Sequence, residues 1–159
     1  MSKHVSVVWD GTLEFEATDD GGATVTMGNA PEGHGPAALV LAALAGCSGM
    51  DVATIMSKKK VAFESYRIEV NGQQRMAYPR LYTSIVVEHI IIGSDIDDKA
   101  VARSIELSAR KYCVVGATLA SGATAIDHRV RISDERGERT CDCVTIGPRG
   151  KGLSHYENT

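Results

Sequence analysis

The chain has 159 residues, 43% of them hydrophobic and only 5% aromatic, with a net charge of −3. That length suits one domain able to bury about 68–70% of its unfolded surface. The mild acidity excludes the basic footprint of a nucleic-acid binder.

Met1-Ser2-Lys3-His4 runs straight into strand-like alternation, without the apolar core of a signal peptide. The four cysteines are far apart except for Cys141 and Cys143. This usage points to the cytoplasm, and to free or redox-active thiols rather than structural disulfides.

Residues 4–8 and 12–18 read as the arms of a hairpin, with Asp10-Gly11 as the turn signal and Val5, Val7, Leu13 and Phe15 at alternate positions. A third strand is predicted over 23–27. Together they predict a sheet with one wet face. The breaker-rich loop 28–35 leads to Pro36, which suits the first turn of a helix. That helix is predicted over 36–60, ending in Lys58, Lys59 and Lys60. From Ala37 to Ala45 it carries no polar side chain, and a helix apolar all round is buried. The apolar run breaks at Ser48 and Asp51, short of the ~20 residues a bilayer needs, so no membrane partner is expected.

Beyond it, Phe63–Val70 alternates as a strand, with Glu64, Tyr66, Ile68 and Val70 on one face; Asn71-Gly72 reads as a hairpin-type turn, while the polar run to Ala77 points to a longer connection. Residues 81–92 predict a long central strand. A second helix is predicted to open at Ser94, with Asp95, Asp97 and Asp98 in its first turn and Val101, Ile105, Ala109 and Tyr112 as its apolar stripe. Cys113 precedes a short helical turn. A last strand over 123–132 puts Ile126, His128, Val130 and Ile132 on one face. Residues 133–159 are charged and glycine-rich. They are read as an appended, partly irregular tail with a short strand at 144–146, beside a main domain over 1–132. The order predicts an α+β fold. A helix without a wet face wants more cover than one such chain supplies, which predicts a homodimer.

Cys47 and Cys113 are the candidates for chemistry. Cys47 lies between Gly46 and Ser48-Gly49 in the long helix, where each glycine costs about 1 kcal/mol relative to alanine. Close approach of another element to the thiol would offset that. Cys113 precedes backbone N–H groups that can lower a thiol pKa. Packing is the competing reading for both, since cysteine behaves as a small hydrophobe. Cys141-Asp142-Cys143 reads as a redox-active pair or, with His155 as a third ligand, half a metal site; the spacing falls outside that usual for zinc, and a mobile tail is the competing reading. No metal and no cofactor are expected. Glu88 and His89 adjoin on a strand, face opposite ways and cannot form a simple dyad.

The stretches PAALVLAALAGCSGMDVATIM, YPRLYTSIVVEHIIIG and SARKYCVVGATLASGATAIDHRVRI together resemble the OsmC/Ohr superfamily, over about residues 3–132. The resemblance is to the branch whose first cysteine reads A-G-C-S-G-x-D. It implies an OsmC-like fold: antiparallel sheets around a long central cysteine-bearing helix, in an intertwined homodimer with its site at the subunit interface. It also implies that Cys47 is the peroxidatic and Cys113 the resolving thiol, with a small hydroperoxide as substrate and a dithiol as reductant. The family's supporting arginine and glutamate are unmatched: no arginine precedes Arg67, and Ala37 stands ten residues before Cys47 where the glutamate falls. His34 and Arg80 are candidate substitutes for the cation, with Arg110 and Lys111 beside Cys113. Asp51, one turn after Cys47, acts against a thiolate. The sequence thus predicts a thiol peroxidase. Its alternatives are a catalytically diverged binding or stress-associated protein, or a slow redox sensor.

Overall fold

A computed structural model describes residues 1–28 and 34–148 of the chain. Most of the loop expected over 28–35, and His155, lie outside the described residues. The chain divides into two compact units, residues 1–42 and 43–159.

The first unit holds an antiparallel sheet of β1 (Val5–Trp9), β2 (Glu14–Asp19) and β3 (Thr24–Gly28), in the order β1-β2-β3. Its turns are made as the sequence suggests. Asp10 accepts hydrogen bonds from the backbone N and the Oγ1 of Thr12, both at 2.7 Å, and Gly11 takes a positive φ of 91°. The expectation of one dry face fails, however. Ala17 is the sheet's buried residue, while Val7, Val8 and Trp9 are at least half exposed. The apolar pattern is present; what it packs against is not supplied by this sheet.

The long helix α1 spans Pro36–Lys58. It stops two residues earlier than predicted, because Lys60 adopts a left-handed φ of 57°. Its buried residues are Leu44, Ser48, Val52 and Met56, one stripe at four-residue spacing. The helix is therefore not buried all round: Met50 is 74% exposed.

The second unit is built on a four-stranded sheet, β4 (Phe63–Gln74), β5 (Tyr82–Gly93), β6 (Ala125–Asp134) and β7 (Gly137–Ile146), in the order β4-β5-β6-β7. All pairs are antiparallel except β5 with β6. That parallel pair is joined by a helical crossover: α2 (Asp98–Leu107), a π-helical turn (Ser108–Tyr112) and α3 (Val114–Ala120). As expected, β5 is central. Its Ile85, Val87 and Ile91 are fully buried with Val52 and Met56 of α1, Val101 and Ile105 of α2, and Ile126 and Val130 of β6.

Four local readings are corrected. Asn71-Gly72 is not a turn: it pairs with Val86 and Ile85 inside β4, and the chain reverses around 75–81. Strand pairing along a buried partner outweighs a two-residue turn signal. The second helix is capped by Asp97, which accepts from the Ala100 amide at 3.0 Å, and not by Ser94. Tyr112 leaves the apolar stripe and is 51% exposed, because the π-helical turn adds a residue and changes the helical phase at its end. Residues 137–146 also form a ten-residue strand in place of the short one expected over 144–146.

Candidate active site

Cys47 faces sideways off the buried stripe of α1, between Leu44 and Ser48, and is half-buried. Cys113 is brought to it by the π-helical turn. The amide of Cys113 donates to the Ser108 carbonyl five residues back, at 2.9 Å. The extra residue in that turn sends Tyr112 outward and Cys113 inward, where it is 1% exposed. Cys113 also caps α3, its Sγ accepting from the Gly116 amide at 3.3 Å. A Cβ on Gly116 would make a tight contact of 3.3 Å with that sulfur and an ordinary one of 3.5 Å with Leu44.

The Cys47 thiol stands beside that of Cys113. Burial, then the neighbouring Cys47, push the Cys113 thiol up to about 12, and the negative charge of Asp51 adds to the shift. The Gly116 amide opposes it and loses. Ser108 ties this corner together, donating to Asp51 at 3.1 Å and lying 3.5 Å from the Ser48 carbonyl. Asp51, which the sequence set against a Cys47 thiolate, acts here on the buried Cys113 thiol.

The other supporting candidates are engaged elsewhere. Arg80 is exposed in the β4–β5 connection, its guanidinium 4.9 Å over the Tyr78 ring. His34 is exposed and bridges to Met27 within the first unit. Arg110 pairs with Glu106 at 3.5 Å, and Lys111 lies over Tyr112.

A second polar assembly was not foreseen. Tyr66 Oη lies 2.7 Å from His89 Nδ1, and His89 Nε2 lies 3.2 Å from His128 Nδ1. The three rings stack across β4, β5 and β6 on the face that receives α1. Burial holds both histidines neutral, lowering His89 to about 3 and His128 to about 4. Burial, helped by Asp51, pushes the Tyr66 hydroxyl up. If Tyr66 donates to His89, His89 donates on to His128, and the Nε2 of His128 is left without a partner among the described residues. The sequence put Tyr66 and His128 on one face of their strands and separated His89 from Glu88. Glu88 indeed turns to the opposite face and pairs with Arg129 at 3.2 Å. What was missing was the strand register, which alone makes neighbours of positions 66, 89 and 128.

Residues 28–129 match the family model described as OsmC-like protein. The chain belongs to the OsmC-like family. Protein YhfA of Escherichia coli K12 is 34% identical over 128 residues, which cover 79% of this chain and 95% of YhfA. A hypothetical protein from Aquifex aeolicus is 25% identical, with a TM-score of 0.76 over 85% of this chain and 98% of that one. The organic hydroperoxide resistance protein OhrB of Bacillus subtilis shares the fold, at 14% identity and a TM-score of 0.54 over 84% of this chain and 98% of OhrB. These likenesses establish the OsmC-like α+β fold inferred from the cysteine motifs.

Proposed function

We propose that this OsmC-like protein is a cytoplasmic, homodimeric two-cysteine peroxidase that reduces small hydroperoxides. The observation that carries this reading is the contact between the Cys47 and Cys113 thiols, from segments 66 residues apart in the chain. The two environments assign the roles. Cys47, half-exposed, is the thiol a peroxide can reach. Cys113 is buried and held protonated, so it stays in reserve. The Cys47 thiolate attacks the O–O bond, the alcohol leaves with a proton, and the sulfur becomes a sulfenic acid. The Cys113 sulfur then displaces water from it and a disulfide forms. An external dithiol restores both thiols by exchange. Membership of a family that includes organic hydroperoxide resistance proteins supports the same direction.

A specific observation favours a second reading, a diverged binding protein on the same fold. Burial and then the neighbouring Cys47 oppose ionisation of Cys113, Asp51 adds a smaller push the same way, and the family's arginine and glutamate are unmatched. One experiment separates the two. Consumption of tert-butyl hydroperoxide with a dithiol present is expected in the parent and at background in Cys47→Ser. Cys113→Ser is expected to turn over once and then accumulate sulfinic acid on Cys47. Equal rates in parent and Cys47→Ser would leave the binding-protein reading.

A further inference from the structure

The proposed peroxidase uses neither Cys141 nor Cys143, although β7 brings them together. The register of β6 against β7 shifts between His128, opposite Val144, and Arg129, opposite Asp142. Cys143 is the extra residue of this β-bulge. In an unbroken strand every residue would have a cross-strand partner. Here Cys143 has none, and its thiol turns to Cys141, Cys143 Sγ donating to the Cys141 carbonyl at 3.9 Å. Cys141 is exposed and Cys143 half-buried, so one sulfur is open to a reactant and the other waits beside it.

The bulge also forms the wall of a groove of about 520 Å³, where Asp127, Arg129, Asp142 and Thr145 stand with the apolar Val86 and Val144 and with Cys143, the more buried thiol of the pair. That volume is in the range of small-molecule sites. Its charged lining has both signs, the Arg129 side chain being 42% exposed. Arg129, paired with Glu88 at 3.2 Å, is the cationic group of this lining, and Asp127 and Asp142 are its anionic ones. Such a wall suits a molecule that carries carboxylate and ammonium groups beside a short apolar stretch. A structural zinc ion is disfavoured, because it takes four ligands and no group of three metal-ligating side chains occurs among the described residues.

We propose that Cys141 and Cys143 are a second redox dithiol, which exchanges with a small zwitterionic disulfide of the oxidised-glutathione type seated in this groove. The Cys141 thiolate attacks one sulfur of the small disulfide, whose S–S bond breaks, and the first small thiol leaves with a proton. Cys143 then gives up its proton and its sulfur attacks Cys141, releasing the second small thiol. Two electrons pass from the protein to the small disulfide, and the products are one protein disulfide and two small thiols. A disulfide spanning a single intervening residue is strained and readily reduced, so the couple is reversible.

The test uses the whole chain and does not depend on Cys47 or Cys113. Trypsin, cutting after Arg139 and Arg149, releases residues 140–149, which contain only this cysteine pair. After incubation with oxidised glutathione, that peptide is expected two hydrogens lighter, and to regain them with dithiothreitol. Cys143→Ser is expected to stall as a glutathione adduct on Cys141. Arg129→Gln is expected to raise severalfold the oxidised glutathione needed for half-conversion, with no change for uncharged hydroxyethyl disulfide. A peptide that keeps both thiols, or carries two glutathiones, would overturn the dithiol. Equal half-conversion points in parent and Arg129→Gln would overturn the seat in the groove.

Discussion

Two thiols of one chain can differ in reactivity because their surroundings differ, and Cys47 and Cys113 do. Asp51 contributes to holding Cys113 protonated, behind burial and the neighbouring Cys47. In a Cys47→Ser background, Asp51→Asn should therefore move the pH profile of Cys113 alkylation downward while leaving it above that of a free cysteine. An upward or absent shift would remove Asp51 from the site's electrostatics. The histidine pair makes a separate, pH-dependent contribution. His89 and His128 titrate near 3 and 4 in the folded chain, against 6.5 when exposed. Between those values the unfolded chain binds more protons than the folded one. The stability tied to their neutral forms is thus complete above pH 6.5 and is lost as the pH falls towards 4. By pH 5 the loss is about 2 kcal/mol per histidine. Asp98 and Asp134, held below 3.8 by Arg139 and its neighbours, act at lower pH and do not confuse that window. Urea midpoints should drop between pH 7 and 5 in the parent, and much less in His89→Gln. Parallel pH slopes in the two proteins would contradict this account.

At the scale of elements, the π-helical turn decides whether the chain has a thiol pair at all. One residue of an α-helix corresponds to a rotation of about 100°. Deleting the exposed Lys111 should convert Ser108–Tyr112 to ordinary helix and swing Cys113 away from Cys47. Oxidation with diamide would then no longer yield the Cys47–Cys113 disulfide, while far-UV circular dichroism stays close to that of the parent. A disulfide formed as readily in the deletion variant would show that the turn does not set the contact. The glycines of α1 differ from each other in the same way. A Cβ on Gly49 would stand 2.7 Å from Ile68 Cδ1, so this glycine is explained by β4 passing close beneath it. Gly46 meets nothing within 4 Å among the described residues.

That open glycine belongs to the scale of the whole molecule. A residue that costs helix stability and gains nothing inside the chain suits an outside partner. The exposed apolar residues of the first sheet and of α1 agree with this. We infer that a second copy covers Gly46. Sedimentation equilibrium should give about twice the 16.9 kDa of one chain. Gly46→Leu should shift the protein towards monomer without loss of helix. A parent that sediments as a single chain would reject the dimer.

Composition, periodicity and the cysteine motifs were enough to set the α+β class, the long helix with Cys47 at its centre, the central strand β5 and the inward face of β6. Each of these depends on residues close in sequence, whose period tells which side meets the core. Strand β4 was cut short because a local turn signal at Asn71-Gly72 cannot announce the partner that overrides it. Tyr112 was misassigned because one inserted residue breaks the helical period without marking the sequence. The Cys47–Cys113 contact and the Tyr66–His89–His128 stack arise between residues that the chain's order does not make neighbours, and the bulge at Cys143 depends on how β7 pairs with β6. Only strand register and helix phase, which are set by packing, put those atoms side by side.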